Sequence, residues 1–101
     1  MEVGYLGVVA ELSVVPLGSG ASVSSLVAEA VKALREEGLR IQATPMCTVF
    51  EARSAEEAFK AALKAHEAVF KAGALRVVTT LKIDDRRDVE HTMDRKLASL
   101  E

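Results

Sequence analysis

The stretch Arg40-Ile41-Gln42-Ala43-Thr44-Pro45-Met46-Cys47-Thr48-Val49-Phe50-Glu51-Ala52-Arg53 predicts a β-hairpin near the middle of the chain. A short strand over Arg40–Thr44 and a second over Thr48–Arg53 flank the turn Pro45-Met46-Cys47. Proline has no N–H to give to a strand ladder, so Pro45 belongs outside the central pairing. Two consecutive antiparallel strands are therefore expected, and the segments on either side must complete a sheet around them.

The segments before this hairpin predict a strand followed by a helix. From about Val3 to Val15 the residues alternate as in a β-strand, and the loop at residues 16–20 ends it. Ser22 or Ser24 is the expected N-cap of the helix, and Gly38 is its expected end. The helix carries apolar residues at helical spacing, namely Val23, Leu26, Val27, Ala30, Val31 and Leu34.

The segments after the hairpin predict a helix, a strand and a terminal helix. Ser54 and Glu57 have the spacing of a capping box, and Gly73 closes the helix that they begin. A fourth strand is expected over Leu75–Ile83, and a last helix over about residues 86–100. The expected apolar stripes are Phe59, Ala62, Leu63, Val69 and Phe70 on the first of these helices, and Val89, Met93, Leu97 and Leu100 on the last.

This order of elements predicts a ferredoxin-like α+β fold. The order βαββαβ, with an additional C-terminal helix, is a split βαβ arrangement in which two helices cover one face of an antiparallel four-stranded sheet. A length of 101 residues fits one domain over residues 1–101.

The sheet face turned away from the two helices is expected to mix apolar and charged side chains. Its predicted members are Val9, Val15, Val49 and Val78 beside Glu11, Glu51, Arg53, Arg76, Thr80 and Lys82. A face of this kind suits a contact between subunits, and a half-solvated face on a monomer is the alternative.

The composition excludes several classes of function. The formal net charge is −2, and only 4% of the residues are aromatic, so neither the basic surface nor the aromatic platforms of nucleic-acid-binding proteins are expected. No stretch approaches the ~20 apolar residues that cross a bilayer, and the first residues lack the basic region of a signal peptide. A single cysteine, Cys47, cannot form an internal disulfide, and the chain is expected in the cytoplasm.

The densest group of charged residues is Lys82-Ile83-Asp84-Asp85-Arg86-Arg87-Asp88. Two interpretations of it remain open. In the first, Asp84 or Asp85 caps the last helix and complements its dipole. In the second, Lys82, Asp84 and Arg87 border a pocket at the edge of the sheet. The neighbouring arginines and lysine argue against a divalent cation there, so no metal site is expected.

The other candidates for chemistry form no catalytic set. Thr48 and Glu51, three residues apart on one strand, are expected to point to opposite faces of the sheet. His66 is expected at the boundary of the core, His91 exposed on the last helix, and Cys47 as a small residue of the turn. Ser–His–Asp, Cys–His and HExxH spacings are absent from the sequence, and no catalytic residue is assigned.

Several short motifs, in order along the chain, resemble a known family. These are Val15–Gly18, Ser22–Ser24, Pro45–Glu51, His66 and Lys82–Arg86. Together they are similar to the small thiamine-binding proteins, ferredoxin-like proteins related to tandem-domain proteins that bind thiamine and its hydroxymethylpyrimidine moiety. The resemblance covers nearly the whole chain.

The resemblance implies a cytoplasmic homotetramer, built from dimers whose sheets associate, that binds thiamine or hydroxymethylpyrimidine without catalysis or a cofactor. It also implies that the pocket residues come from the strand-to-helix loop, the turn of the hairpin and the end of the last strand. Matched onto this chain, the expected ligand-binding residues are Ser22, Ser24, Thr48, Glu51, Lys82 and Asp84.

Two positions depart from the family pattern. Cys47 stands where the family more often has glycine, and Phe50 stands where a smaller aliphatic residue is usual. Phe50 is expected to narrow the pocket, which bears on the identity of the ligand.

Two other functions stay open from the sequence. The mixed apolar face also suits a structural or regulatory oligomer that binds no vitamin. The superfold also hosts hydrolases of acyl phosphates, although the loop after the first strand lacks the arginine that such an anion site would use.

Overall fold

The computed structural model of this chain describes residues 7–18 and 23–100. It contains four strands and three helices in the order β1, α1, β2, β3, α2, β4, α3. Their bounds are β1 Gly7–Pro16, α1 Val23–Glu36, β2 Ile41–Ala43, β3 Thr48–Ala52, α2 Ala55–Lys71, β4 Val77–Arg86 and α3 Met93–Ala98.

The four strands form one antiparallel sheet in the order β2-β3-β1-β4, and this confirms the predicted ferredoxin-like α+β fold. β1 lies between β3 and β4, with Leu12 opposite Thr48 on one side and opposite Leu81 on the other. β2 and β3 form the hairpin that the central stretch of sequence predicts, and their register places Ile41 opposite Phe50.

The hydrophobic core lies between the sheet and the helices α1 and α2. Alternate residues of β1 point into it, and Phe50 of β3 and Leu34 of α1 are completely buried there. The residues of β1 that enter the core are Val8, Ala10, Leu12 and Val14. The face of Thr48 and Phe50 is therefore the helix-covered one, and Val49 and Glu51 lie on the other, here called the second face.

The start of α2 confirms the predicted capping box. The Ser54 hydroxyl accepts a hydrogen bond from the Glu57 N–H at 3.1 Å. The Glu57 carboxylate reaches back to the Arg53 N–H at 2.7 Å and also holds the Arg53 guanidinium, so the reciprocal bond falls one residue before the N-cap. These contacts lower the pKa of Glu57, chiefly through the hydrogen bond from the Arg53 side chain.

The predicted apolar stripe of α2 is partly wrong. Phe59 and Leu63 are 61% and 58% exposed, and Phe70 is also exposed. The side chains that the helix buries are mostly small, namely Ala58, Ala61, Ala62, Ala65 and Val69. Alanine lets the α2 backbone approach the sheet closely, and the large apolar residues are left on the flank of the helix.

The end of the chain differs most from the prediction. β4 begins at Val77, after an exposed Leu75, and continues through Arg86 because β1 offers it ladder partners as far as Gly7. Asp84 and Asp85 therefore lie inside β4, and the interpretation of either as a helix cap is wrong.

The last helix, α3, has six residues rather than the fifteen predicted, and Thr92 caps it by accepting from the Arg95 N–H at 3.1 Å. The same change moves His91 out of the helix. His91 is buried just before α3 rather than exposed on it.

α3 packs on the second face, which the sequence analysis left uncovered. Glu51 accepts the Met93 N–H at 2.7 Å, and the guanidinium of Arg40 holds both oxygens of Asp94 at 2.9 and 3.0 Å. Met93 is buried, and Val9 is buried with it. The terminal helix thus shields one end of the second face, and Val15 and Val78 remain exposed at the other end.

At the start of the chain, two predictions reach beyond the described residues. β1 runs to Pro16, but residues 3–6 of the predicted strand lie outside the described part of the chain. Ser22 also lies outside it. Ser24 lies within the first turn of α1, which begins at Val23, so its predicted role as the N-cap is wrong.

Candidate functional site

A cleft of about 270 Å³ opens between α1 and the ends of β1 and β3. We call it the α1 cleft. Thr48 is buried at its sheet side, and Val27 and Val31 line it from the helix. The full lining is Leu12, Ser13, Val14, Val15, Val27, Ala30, Val31, Leu34, Ala43, Thr44, Pro45, Met46, Cys47 and Thr48. None of these lining residues is charged. Phe50 was expected to narrow the pocket, but it is not among the residues that line this cleft.

The turn between β2 and β3 forms one wall of the α1 cleft, and Thr44 holds that turn in shape. The Thr44 hydroxyl donates to the Cys47 carbonyl at 2.8 Å and accepts from the N–H groups of Met46 and Cys47 at 3.3 and 3.1 Å. The Cys47 thiol donates to a carboxylate oxygen of Glu11 at 3.3 Å. Because the backbone of Cys47 is bonded to Thr44 and its thiol is bonded to Glu11, these contacts hold the cleft wall in place without a ligand.

The α1 cleft suits a small uncharged ring. Its polar side chains are the hydroxyl of Thr48 and that of Thr44 in the turn, and most of the remaining lining is apolar. Ser13 also borders the cleft, but its side chain points to the second face, because it alternates with the core residues Leu12 and Val14. A hydroxyl can donate or accept, so it can serve a heteroaromatic nitrogen or an amino group. A charged group would lose its hydration there without a charged partner.

Three of the predicted ligand-binding residues lie on the second face, away from the α1 cleft. Glu51 is engaged by the Met93 N–H at 2.7 Å and by the Arg40 guanidinium at 3.5 Å. Lys82 is opposite Glu11 on β1, and its ammonium is 3.7 Å from the Glu11 carboxylate.

Asp84 is the third of these residues, and it joins β4 to the end of the chain. Its Oδ2 accepts a hydrogen bond from the Lys96 ammonium at 2.7 Å and lies 3.3 Å from His91 Nε2. The hydrogen bond from Lys96 is the main reason that the pKa of Asp84 lies below its usual range. The contact with His91 does not have hydrogen-bond geometry, and the buried Nε2 has no hydrogen-bond partner within the described residues.

The six predicted site residues are therefore divided between two places. Thr48 lines the α1 cleft, and Ser24 is exposed one turn before Val27 of the cleft wall. Glu51, Lys82 and Asp84 share the second face, and Ser22 lies outside the described residues. The predicted opposition of Thr48 and Glu51 is confirmed.

Sequence reasoning missed Lys96 and His91, which meet Asp84, and Ser13, which lines the α1 cleft. No local motif marks them. A β4 extended to Arg86 would have indicated that the chain must return across the second face. His66 is a boundary residue as expected: its Nδ1 lies 2.6 Å from the Thr79 hydroxyl.

Residues 7–18 and 23–100 contain no group of three or more His, Cys, Asp or Glu side chains placed to hold a metal ion. Among the helices that the structure describes, none has the length and apolar character needed to span a membrane.

Comparison with known proteins gives a family for most of the chain. The model of the family described as thiamine-binding protein matches residues 10–101. A UPF0045 protein of Methanothermobacter thermautotrophicus is 47% identical over 94 residues, which cover 92% of this chain and 95% of that protein.

Two solved structures share the architecture. A hypothetical protein of Methanocaldococcus jannaschii superposes with a TM-score of 0.85 at 42% identity, over 93% of this chain and 95% of that one. A Thermotoga maritima protein, described as having a proposed role in thiamine biosynthesis or salvage, superposes with a TM-score of 0.80 over 94% of this chain and 99% of that one. At 20% identity, the second similarity shows the fold alone.

Proposed function

Because this chain belongs to the thiamine-binding protein family, we propose that it binds thiamine or its hydroxymethylpyrimidine moiety in the α1 cleft, and that it catalyses no reaction on the ligand. The observation that carries the proposal is the buried Thr48 hydroxyl in an apolar cleft whose lining holds no charge. A binding role, rather than a catalytic one, is supported by the described residues of that lining, among which there is no acid, histidine or lysine.

The aminopyrimidine ring fits the chemistry of the α1 cleft. It offers ring nitrogens that accept hydrogen bonds and an amino group that donates, and the Thr48 hydroxyl can donate to a ring nitrogen or accept from the amino group. The volume of about 270 Å³ is slightly below the ~300–1,000 Å³ range for small-molecule pockets, as suits a single ring. In this proposal the thiazolium of thiamine stays at the mouth of the cleft, where water solvates its charge.

Calorimetric titration with hydroxymethylpyrimidine and with thiamine tests the ligand. We expect saturable heat from both, and binding up to about tenfold weaker when the Thr48 hydroxyl is removed in Thr48→Val. Thr80→Val is the matched control, because Thr80 is exposed on β4 and does not line the cleft. Absence of heat at millimolar ligand with folded wild-type protein would overturn the proposal and favour an oligomer that binds no vitamin.

We further propose that the protein assembles as a homotetramer made of two dimers. Val15 and Val78, which are opposite each other in the β1–β4 ladder, stay 40% and 47% exposed at the end of the second face that α3 does not cover. β4 is also an edge strand of ten residues, and no described strand pairs with its outer side. An exposed strand edge and an apolar sheet face are two separate surfaces through which copies can associate.

We place the protein in the cytoplasm. This proposal rests on the free thiol of Cys47, the chain's single cysteine, which is half-buried and donates to Glu11. A thiol that serves as a hydrogen-bond donor requires the reduced state, which a reducing compartment maintains.

A further inference from the structure

The second face carries a groove beside α3 that the proposed function does not use. Its floor is Val9, which is buried, and Val49, which is half-buried beside the terminal helix. Two adjoining hollows of about 290 and 270 Å³ share this floor and the side chain of Lys96. We call the pair the second-face groove, and its charged rim consists of Glu11, Lys82, Asp84 and Lys96.

The sheet register fixes the positions of these charges. Val9 is opposite Asp84, and Glu11 is opposite Lys82, in the ladder between β1 and β4. Asp84 and Lys82 are two residues apart on β4, so both project from the same face. A negative and a positive group therefore lie one after the other along one side of an apolar floor.

Both charged groups keep capacity for another partner. The Lys82 side chain is 79% exposed, and its ammonium is 3.7 Å from the Glu11 carboxylate. This ammonium makes no hydrogen bond to the described part of the chain. The contacts of Asp84 with Lys96 and His91 both fall on Oδ2, which leaves its Oδ1 available. Glu11 is less available, because its Oε2 accepts the thiol of Cys47.

We propose that the second-face groove binds a small zwitterion with an apolar side chain, of the chemical class of a free amino acid. The ligand's carboxylate pairs with Lys82, its ammonium pairs with Oδ1 of Asp84, and its side chain rests on Val9 and Val49. This site is on the opposite face of the sheet from the α1 cleft, so its occupancy does not depend on vitamin binding. It rests on the proposed contact between subunits staying at the Val15 and Val78 end of the second face, which leaves the groove beside α3 open.

The charge balance of the rim favours a zwitterion over a singly charged ligand. Two cations and two carboxylates surround the floor, so the rim is neutral overall. An added anion pairs with Lys82 but faces Glu11 and Asp84, and an added cation pairs with Asp84 but faces Lys82 and Lys96. A zwitterion presents each charge to its opposite and leaves none unmatched.

Three probes that share a phenyl ring on a short carbon chain and differ in their charged groups test whether the groove prefers a zwitterion. In a backbone-amide NMR titration, L-phenylalanine is compared with 3-phenylpropanoate, which lacks the ammonium, and with phenethylamine, which lacks the carboxylate. We expect saturable shifts at Val9 and Val49 with phenylalanine, and binding about tenfold weaker for either analogue. Absence of shifts at these amides, or equal affinity for all three probes, would overturn the inference.

Two variants assign the charges. Lys82→Gln is expected to weaken phenylalanine binding to the level of phenethylamine, and Asp84→Asn to weaken it to the level of 3-phenylpropanoate. Lys60→Gln, which removes an exposed lysine on α2 away from the groove, is the matched control and should change nothing.

A competition experiment distinguishes the α1 cleft from the second-face groove. Hydroxymethylpyrimidine should move the Thr48 and Leu12 signals and leave bound phenylalanine in place. Displacement of phenylalanine by hydroxymethylpyrimidine would make the groove part of the vitamin site, and the inference of a separate zwitterion site would fail. Shifts with phenylalanine but none with hydroxymethylpyrimidine would leave the inference standing and overturn the proposed function alone.

Discussion

The Lys96 ammonium donates a hydrogen bond of 2.7 Å to the Asp84 carboxylate and so ties the terminal helix to the last strand. A second tie joins Asp94 of the same helix to Arg40, which precedes β2. Between these two ties, Met93 is the buried residue of α3, and Leu97 is half-exposed. The helix is therefore held on the second face largely by polar contacts.

The attachment of α3 should weaken in acid. Hydrogen bonds from Lys96 and Arg40 lower the pKa values of Asp84 and Asp94 below their ordinary value of 3.8. Because the carboxyl pKa is lower when α3 is docked, the two ion pairs stabilise docking fully at pH values above the ordinary pKa. Their contribution is lost as the pH falls through the lowered pKa of the docked state. The amide protection factors of α3, which correct for the intrinsic pH dependence of exchange, should stay constant from neutral pH downward and fall only below about pH 4.

Asp94→Asn provides the control for this acid response. The amide cannot ionise, so the contribution of Asp94 is removed at every pH, and the acid response of α3 should become smaller. Asp88→Asn, which breaks a pair with Arg86 outside α3, should leave the profile unchanged. An α3 that stays protected down to pH 2 in the wild type would contradict this account.

Phe50 and Phe59 should differ sharply in their contribution to stability. Phe50 is completely buried between the sheet and the helices, whereas Phe59 is 61% exposed on α2. Phe50→Ala leaves a cavity and should lower the free energy of unfolding by about 3–5 kcal/mol. Phe59→Ala should cost less than about 1 kcal/mol, because little of its surface is buried. Urea denaturation at one protein concentration measures both, and equal losses would contradict the assigned faces.

The same two residues show what the sequence could and could not predict. Alternation along β1 and β3 placed Phe50 and Leu12 on the correct face, because a strand has only two faces and one of them must be buried. Phe59 satisfies a helical apolar pattern equally well, but α2 meets the sheet through Ala58, Ala61 and Ala65. Which flank of a helix docks depends on how closely its backbone can approach, and hydrophobic spacing alone does not contain that information.

The candidate site residues were also predicted only in part. The family motifs pointed to Thr48, and the structure puts it in the α1 cleft. Lys82 and Asp84 were linked to the same pocket, but the alternation of β4 puts them on the second face. Lys96, the partner of Asp84, could not be found from local sequence, because the two residues meet only after α3 folds back across the sheet.

The capping box of α2 should be measurable by itself. Ser54→Ala removes the acceptor for the Glu57 N–H, and we expect it to lower the free energy of unfolding by about 1 kcal/mol. Ser99→Ala is the matched control, because the Ser99 hydroxyl bonds the Lys96 carbonyl at the exposed end of α3. If the two substitutions have equally small effects, the hydrogen bond between the Ser54 hydroxyl and the Glu57 N–H stabilises the fold no more than hydration of the same groups would.

A charge placed at Val78 should dissociate the assembly. Val78 and its ladder partner Val15 form the exposed apolar end of the second face, and burying a carboxylate between two such faces is costly. We expect light scattering behind size exclusion to give four times 10.8 kDa for the wild type and a smaller species for Val78→Glu. Leu75→Glu is the matched control, since Leu75 is 94% exposed before β4 begins, and it should leave the mass unchanged. A wild-type mass of 10.8 kDa at every concentration would rule out the homotetramer, and a Val78→Glu protein of unchanged mass would move the contact to the free edge of β4.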